Sequence, residues 1–395
     1  MLKFRWNRCL FVAGVLGCCT VSLQETAPVF SQEKSAEAET AAKSETTQEK
    51  TALNADQQKV VMERLAGLSK EAKTAKEYSA MLQQCEAALE ANDFLSANAQ
   101  YIRSLIAWAS NRRGELRMEL GFEFHLVGNQ DQSEVAFQEA ASDFDRAIAE
   151  DETHWKAYLN RGIIASHQKD WDAAIDDLKK SSELRPSQTF AYFNLAEIEY
   201  QRQHYQAALA YYDHILKSSE NDAQALNGRA LTLVALQRFN EAMEIYDQLL
   251  EHRTEDAWLL TNKADLLQIQ GQWSEAEKTY IEALKLEQAA PIYRRLAWLF
   301  ATCPEAELRQ REGSLQLAKK AISLSRKTTA EEWDTLAAAQ ALNGEFESAI
   351  DSLKQAVNLE PDNEAFTSRM ELYGRGETFI QTPRVAKKET ELLER

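Results

Sequence analysis

The strongest constraint in this chain is a motif that recurs every 34 residues. Its centre is an alanine, with an aromatic residue three places before it and a leucine or tyrosine four places after it. The alanines are Ala174, Ala208, Ala242 and Ala276, preceded by Trp171, Tyr205, Phe239 and Trp273 and followed by Leu178, Tyr212, Tyr246 and Tyr280. Self-similarity at a fixed period of this length indicates stacked copies of one structural unit.

A second set of small residues shows what the unit is. Twelve places before each alanine the chain has glycine or alanine, namely Gly162, Ala196, Ala230 and Ala264. Two antiparallel helices approach closely where small residues meet, because the side chains at the contact set the distance between the axes. Each unit is therefore predicted to be a helical hairpin, with the aromatic residues of the motif in its core.

The pattern resembles the tetratricopeptide repeat (TPR), a helix-turn-helix unit of 34 residues. The best match is 155–188, where Arg161-Gly162 stands in place of the family's Leu-Gly and Pro186 follows the second helix. Further units begin at Thr189, Ala223, Ala257 and Ala330. The resemblance implies an all-α fold, a right-handed TPR superhelix (α-solenoid) of about seven to eight helical hairpins with a C-terminal capping helix.

Residues 1–31 have the character of a secretory signal peptide. Three basic residues precede an apolar run from Cys9 to Leu23, which is shorter than the about 20 residues of a transmembrane helix. Cleavage after Ser31 is one interpretation. In the other, Val15-Leu16-Gly17-Cys18 resembles a lipobox, and Cys18 carries a lipid. Both predict an exported protein, periplasmic or secreted, and the second adds a lipid anchor.

Composition and repeat phase divide the rest of the chain. Residues 32–54 lack the large apolar side chains that would offset the entropy of ordering, so they are predicted to be a disordered linker. The helical segments are 55–154 (irregular hairpins), 155–290 (four regular units), 291–329 (an irregular unit), 330–363 (a further unit) and 364–374 (a capping helix). Residues 375–395 lose the repeat phase and are predicted to be a flexible tail.

The region before the regular units keeps the phase of a second helix but displaces the first. The sequence predicts an over-long hairpin from Ala107 to Glu150 that turns at Gly128-Asn129. Its close-contact residue is Gly114 or, in an alternative phase, Gly121. A separate helix from Phe94 to Trp108 is predicted to precede it.

Charge and motifs narrow the function classes. The formal net charge is −17, and loss of residues 1–31, with three basic groups and Glu25, leaves −19. So acidic a body repels nucleic acid and anionic lipid. The sequence has no Gly-rich phosphate loop, no Gly-x-Ser-x-Gly motif and no histidine pair at metal-binding spacing. We therefore predict no enzymatic activity, metal, cofactor or small-molecule substrate.

The TPR resemblance implies that the first helices of the units line a concave groove that holds a peptide or helix of a partner. These helices carry a row of amides, Asn160, Asn194, Asn227 and Asn262. An amide donates and accepts, so the row could grip a peptide backbone, or each amide could bond the neighbouring repeat. The other groove candidates are Phe190, Phe193, Glu197, Tyr200, Gln201, Trp258 and Asp265.

Basic residues occupy position seven of three units, at Arg161, Arg229 and Lys263. They are too sparse for a receptor and are expected to form salt bridges with the acidic faces. TPR modules that bind chaperone C-termini have a lysine and an asparagine at places where the first regular unit has Leu159 and Ile163. That binding mode is therefore not expected.

Two hypotheses remain. The preferred one is a non-catalytic scaffold that binds a peptide or domain of another exported or envelope protein in the concave groove. The alternative is a structural component of the bacterial cell envelope that assembles with copies of itself or organises a complex. The acidic surface and the predicted C-terminal cap favour the first, because both oppose stacking.

Overall fold

Helices make up nearly all of the described chain. The structure, a computed structural model, describes residues 51–383. The predicted signal peptide, the lipidation candidate Cys18, residues 32–50 of the predicted linker and residues 384–395 lie outside the described residues. Within the described range seventeen helices form eight successive hairpins and one final helix. The predicted all-α solenoid is confirmed.

The helices are α1 (Ala55–Glu71), α2 (Ala75–Ala91), α3 (Ser96–Leu126), α4 (Gln130–Glu150), α5 (Trp155–Gln168), α6 (Trp171–Leu184), α7 (Phe190–Gln201), α8 (Tyr205–Ser218), α9 (Ala223–Ala235), α10 (Phe239–His252), α11 (Ala257–Ile269), α12 (Trp273–Leu286), α13 (Ala290–Thr302), α14 (Arg311–Leu324), α15 (Ala330–Leu342), α16 (Phe346–Leu359) and α17 (Glu364–Gly374). A parallel bridge joins β1 (Thr51–Ala52) to β2 (Asn92–Asp93), where no strand was expected. In residues 51–383 no helix offers an apolar stretch long enough to cross a membrane.

The turns inside the regular hairpins use one left-handed residue each, again at the 34-residue period. These residues are Lys169, Gln203, Gln237 and Gly271, with φ of 65°, 66°, 62° and 80°. Left-handed backbone favours glycine because a Cβ is crowded there. Three of the four turns nevertheless hold a residue with a side chain, so the packing of the hairpin imposes the turn.

Residues 51–202 form one unit, in which α3 corrects the sequence-based boundaries. The two helices predicted to meet near Ala107 are one helix of 31 residues. The prediction of a break there is wrong, because a buried run from Leu105 to Asn111 crosses the point without a glycine or proline. The predicted turn does occur, with Gly128 at φ 79°.

Both glycines proposed for the long hairpin serve as close-contact sites. A Cβ on Gly114 would lie 2.6 Å from Cε1 of Phe144, and one on Gly121 would lie 2.7 Å from Cδ1 of Phe137. Both alternative residues are therefore close-contact sites. Gly114 and Gly121 are seven residues apart on α3, and their partners Phe144 and Phe137 are seven residues apart on α4. The extra length of α3 adds a second contact of the same kind.

Residues 203–383 form the second unit, and its core follows the repeat motif. Ala242 and Ala276 are fully buried, and Phe239 and Trp273 are buried as predicted. Tyr205 is only half-buried, as is Trp171 in the first unit. The ring of Tyr212 packs where a side chain on Gly228 would stand. A large residue on one helix thus fills the space that a glycine leaves on the next.

The start of the predicted tail is not free. Residues 375–383 continue from α17 and lie against α11 and α13, where they make side-chain and backbone hydrogen bonds. The prediction of a flexible tail from Arg375 is therefore wrong up to Pro383. The sequence shows only the loss of repeat phase, and irregular backbone can still be held by tertiary contacts.

Candidate functional site

The amides of the predicted groove bond within the protein. Nδ2 of Asn160 donates to Asn111 Oδ1 at 3.2 Å, and Nδ2 of Asn262 donates to Asn227 Oδ1 at 3.1 Å. Each bond joins the first helices of successive hairpins, α3 to α5 and α9 to α11. Nδ2 of Asn194 donates to the carbonyl of Phe190 in its own helix at 2.8 Å. The bonds of Asn160, Asn227 and Asn262 match the structural alternative, a contact with a neighbouring repeat, whereas Asn194 bonds its own helix.

The other groove candidates differ in exposure. Phe190, Phe193 and Trp258 are half-buried, and Gln201 is exposed. Tyr200 is buried. Gln201 therefore offers the most accessible side chain of this set on the first helices.

Asp265 is held by two partners from neighbouring helices. Its carboxylate pairs with Arg295 Nε at 2.7 Å and accepts a hydrogen bond from the Tyr280 hydroxyl. Burial, followed by the charge of Asp265, raises the pKa of Tyr280, so the hydroxyl keeps its proton and remains a donor. The sequence prediction placed Asp265 on an open groove, whereas its side chain is mostly buried.

Glu197 is a buried carboxyl on α7. It is 8% exposed, and its Oε1 accepts a hydrogen bond from Gln201 Nε2 at 2.8 Å. Oε2 has no partner within residues 51–383. Burial raises the pKa of Glu197 to about 7, against a small opposing effect of the Gln201 hydrogen bond.

The basic series at position seven forms a repeated ion pair, as expected. Arg161 pairs with Asp145 at 2.5 Å, Arg229 with Asp213 at 2.8 Å and Lys263 with Asp247 at 2.6 Å. In each pair the acid lies sixteen residues earlier, on the second helix of the preceding hairpin. These cations therefore link successive hairpins.

A segment outside the helices, residues 377–383, lies on a surface formed mainly by first helices of the second unit. We call this surface the C-terminal groove and define it by Gln268 on α11, Trp298 and Thr302 on α13, and Arg369 on α17. The Gln381 N–H donates to the carbonyl of Thr302 at 2.8 Å. Oε1 of Gln381 accepts from Gln268 Nε2 and Trp298 Nε1, each at 2.9 Å.

The aromatic end of this contact is built around Arg369. Its guanidinium binds Asp334 through two hydrogen bonds, Nε–Oδ1 at 2.7 Å and Nη2–Oδ2 at 2.6 Å. The ring of Phe379 lies 5.2 Å from that guanidinium and 5.7 Å from the ring of Trp298. Such distances suit cation–π and tilted aromatic contacts.

Sequence reasoning missed the C-terminal groove. Gln268 falls at the same repeat position as Tyr200, which was a groove candidate, so the period alone could have indicated it. Trp298 and Thr302 lie in the irregular unit, where the repeat phase is weaker. Arg369 and Gln381 lie outside the repeats and carried no signal.

The remaining candidates for site chemistry are metal ligands and thiols. In the described range no group of three or more His, Cys, Asp or Glu side chains is placed to hold a metal ion. Cys85 and Cys303 are buried free thiols. Burial raises the pKa of Cys85 to about 12, which keeps that thiol protonated and unreactive.

Comparison with known families agrees with the repeat pattern. A family model described as tetratricopeptide repeat matches residues 136–188 and 193–257, and another with the same description matches residues 233–299. Superkiller complex protein 3 of Mus musculus is 33% identical over 125 residues, which are 31% of this chain and 7% of that protein. The chain thus spans a small part of that relative's length.

Two solved structures show the same fold. A tetratricopeptide repeat protein from Parabacteroides merdae aligns with a TM-score of 0.53 and 17% identity, over 66% of this chain and 98% of that one. Yeast Tom70 aligns with a TM-score of 0.51 and 17% identity, over 81% of this chain and 75% of that one. Residues 136–188 and 193–299 are thus tetratricopeptide repeats, and the chain has the fold of proteins built from that repeat.

Proposed function

We propose that this tetratricopeptide repeat protein is a non-catalytic scaffold that holds an extended segment of another protein on its first helices. Binding of other proteins is the general role of such repeats. This general role does not depend on which protein is the partner. The observation that carries the proposal is the C-terminal groove, where first helices α11 and α13 hold a non-helical segment by its backbone and side chains. A surface that holds one such segment has the chemistry to hold another.

We further propose that the partner is an exported or envelope protein. The support is the leader in residues 1–31, with its basic start and short apolar run. The mass of the protein recovered from cells tests this. It should correspond to a chain starting at Gln32 or to a lipid-modified chain starting at Cys18, and a full-length cytoplasmic chain would contradict export.

Photo-crosslinking in cells tests the scaffold role. A crosslinking amino acid placed at Gln201 or Trp258 lies on a first helix, and the matched control positions Lys180 and Glu282 are exposed on second helices. We expect a first-helix position to capture a second protein, and the control positions not to capture it.

Other crosslinking patterns would contradict the proposal. Capture from the second-helix positions alone would show that the binding surface lies on the second helices. Adducts between copies of this chain would favour the self-assembling component considered as the alternative.

A further inference from the structure

The C-terminal groove contains polar groups that need a partner. Thr302 is the last residue of α13, so its carbonyl belongs to the helix-end groups that have no partner within the helix. The Gln381 N–H fills that place at 2.8 Å. The bond resembles the main-chain contact by which repeat and sheet surfaces hold extended peptides.

The side chain of Gln381 meets a small set of donors. Trp298 Nε1 and Gln268 Nε2 both donate to Oε1 at 2.9 Å. The Thr302 hydroxyl lies 3.2 Å from the same atom and also bonds the Trp298 carbonyl at the shorter distance of 2.8 Å. An indole N–H can only donate, so the atom that faces it must be an acceptor. Gln268 and Thr302 are buried, so these groups select a side-chain oxygen in a position largely shielded from water.

Phe379 and Gln381 both contact the C-terminal groove. Phe379 lies against Trp298 and Arg369. Gln381 bonds Gln268, Trp298 and Thr302, and the following residue, Thr382, is exposed. The groove therefore binds an aromatic ring and, two residues later in the segment, a side-chain oxygen.

We propose that residues 377–383 are a built-in competitor for the C-terminal groove, and that the partner displaces them with an extended segment carrying an aromatic residue two places before a side-chain oxygen acceptor. This inference rests on the proposed function. It adds to it the chemistry of the bound segment and a regulatory step, because the partner must exchange with a ligand that the chain already supplies.

The short connection makes the competitor effective. α17 ends at Gly374, and the chain reverses at Gly376, where φ is 72°. Four residues therefore separate the helix from Phe379. A ligand on so short a link has an effective concentration in the millimolar range, so a free segment of equal intrinsic affinity is outcompeted.

A synthetic peptide with the sequence of residues 376–383 tests the inference in the full chain. We compare the unmodified protein with the double variant Phe379→Ala/Gln381→Ala, which removes both anchors of the built-in segment, and with Thr382→Ala as the matched control. Fluorescence anisotropy of the labelled peptide should show binding to the double variant at least about tenfold tighter than to the other two proteins. A peptide carrying the same two alanines should not bind.

Two further measurements keep the inference testable if the double variant is unstable. In the unmodified chain, saturating peptide should speed amide hydrogen exchange of residues 377–383, because the peptide displaces them. Trp298→Phe keeps a ring but removes the N–H donor, and it should weaken peptide binding to the double variant. Equal peptide binding by all three proteins, or no exchange response, would overturn the inference.

The outcomes separate this inference from the proposed function. If the peptide fails to bind while crosslinking at the first helices captures a partner, the built-in competitor is wrong and the scaffold stands. If the peptide binds the opened groove while no partner is captured at Gln201 or Trp258, the occupation of the groove by residues 377–383 stands, and displacement by a partner falls together with the scaffold role.

Discussion

At the scale of single residues, one repeat position serves several structural roles. Position six holds Asn160, Asn194 and Asn262, whose amides bond a neighbouring hairpin or their own helix. In the unit that begins at Ala223 the same position holds Gly228, and the ring of Tyr212 fills the space. The period therefore fixes where a side chain lies, and the neighbouring chemistry decides what it does.

Glu197 should make stability fall as the pH rises. Its folded pKa of about 7 lies above the ordinary value of 4.5, so the folded state holds its proton over a range where the unfolded state has lost it. Below pH 4.5 Glu197 is protonated in both the folded and the unfolded state, so it causes no loss of stability there. Between 4.5 and 7 stability declines, by about 3 kcal/mol in total at 1.36 kcal/mol for each pH unit of difference.

The variant Glu197→Gln isolates this effect. It cannot ionise, so its free energy of unfolding should exceed that of the unmodified chain by about 3 kcal/mol at pH 8 and match it near pH 4. Urea unfolding at several pH values measures the difference. Glu183→Gln removes an exposed carboxylate from α6 and serves as the control. If the difference in free energy of unfolding were the same at every pH, burial would not raise the pKa of Glu197.

At the scale of elements, the long hairpin of α3 and α4 is joined by a buried charge network. Asp143 on α4 accepts from Arg113 Nη2 at 2.5 Å and from Arg117 Nη1 at 2.7 Å, both on α3. Arg113 also donates to the hydroxyl of Ser79 on α2 at 2.9 Å. One carboxylate therefore organises three helices, and its side chain is only 3% exposed.

Removing this carboxylate should cost more than removing a similar one at the surface. Asp143→Ala leaves two arginines without their buried partner, so we expect a loss of about 3–5 kcal/mol in the free energy of unfolding. Asp213→Ala breaks the ion pair with Arg229, whose acid is 45% exposed, and should cost less than about 1 kcal/mol. Urea unfolding of both variants at one pH tests the contrast, which equal losses would contradict.

Most of the predictable element boundaries lie where the motif recurs, although the capping helix α17 and the turn at Gly128 were also predicted. The helices from α5 to α12 begin and end close to the sequence-based units, because small and aromatic residues mark each hairpin at a fixed stride. The break predicted near Ala107 failed because two amphipathic stretches in register are also what one long helix looks like. The left-handed turn at Gln237 was equally hidden, since its side chain does not favour that backbone.

At the scale of the whole molecule, the fold was predictable and the C-terminal groove was not. Contacts between neighbouring hairpins recur along the chain, so a period in the sequence reports them. The bonds of Gln381 are different in kind: Gln268 is 113 residues away and Trp298 is 83 residues away. Each of these bonds occurs once, so no repeated pattern in the sequence predicts it.

A chain built from neighbour contacts should respond locally to damage. Stability in such arrays is approximately a sum of the stabilities of the units and of the contacts between nearest neighbours. A destabilising substitution in one hairpin therefore need not unfold distant hairpins. Asp143→Ala should therefore speed amide hydrogen exchange in residues 96–168 and leave residues 330–374 unchanged. Leu353→Ala, at a fully buried position of α16 and with an expected loss of about 2–5 kcal/mol, should do the reverse.

Hydrogen exchange read by mass spectrometry on both variants gives the decisive comparison. The two perturbations serve as controls for each other, because each leaves the other's region chemically intact. Reciprocal, confined changes are expected from helices that contact only near neighbours in sequence. If either substitution raised exchange to the same extent from α1 to α17, the chain would unfold as one cooperative body, and a nearest-neighbour account of its stability would be wrong.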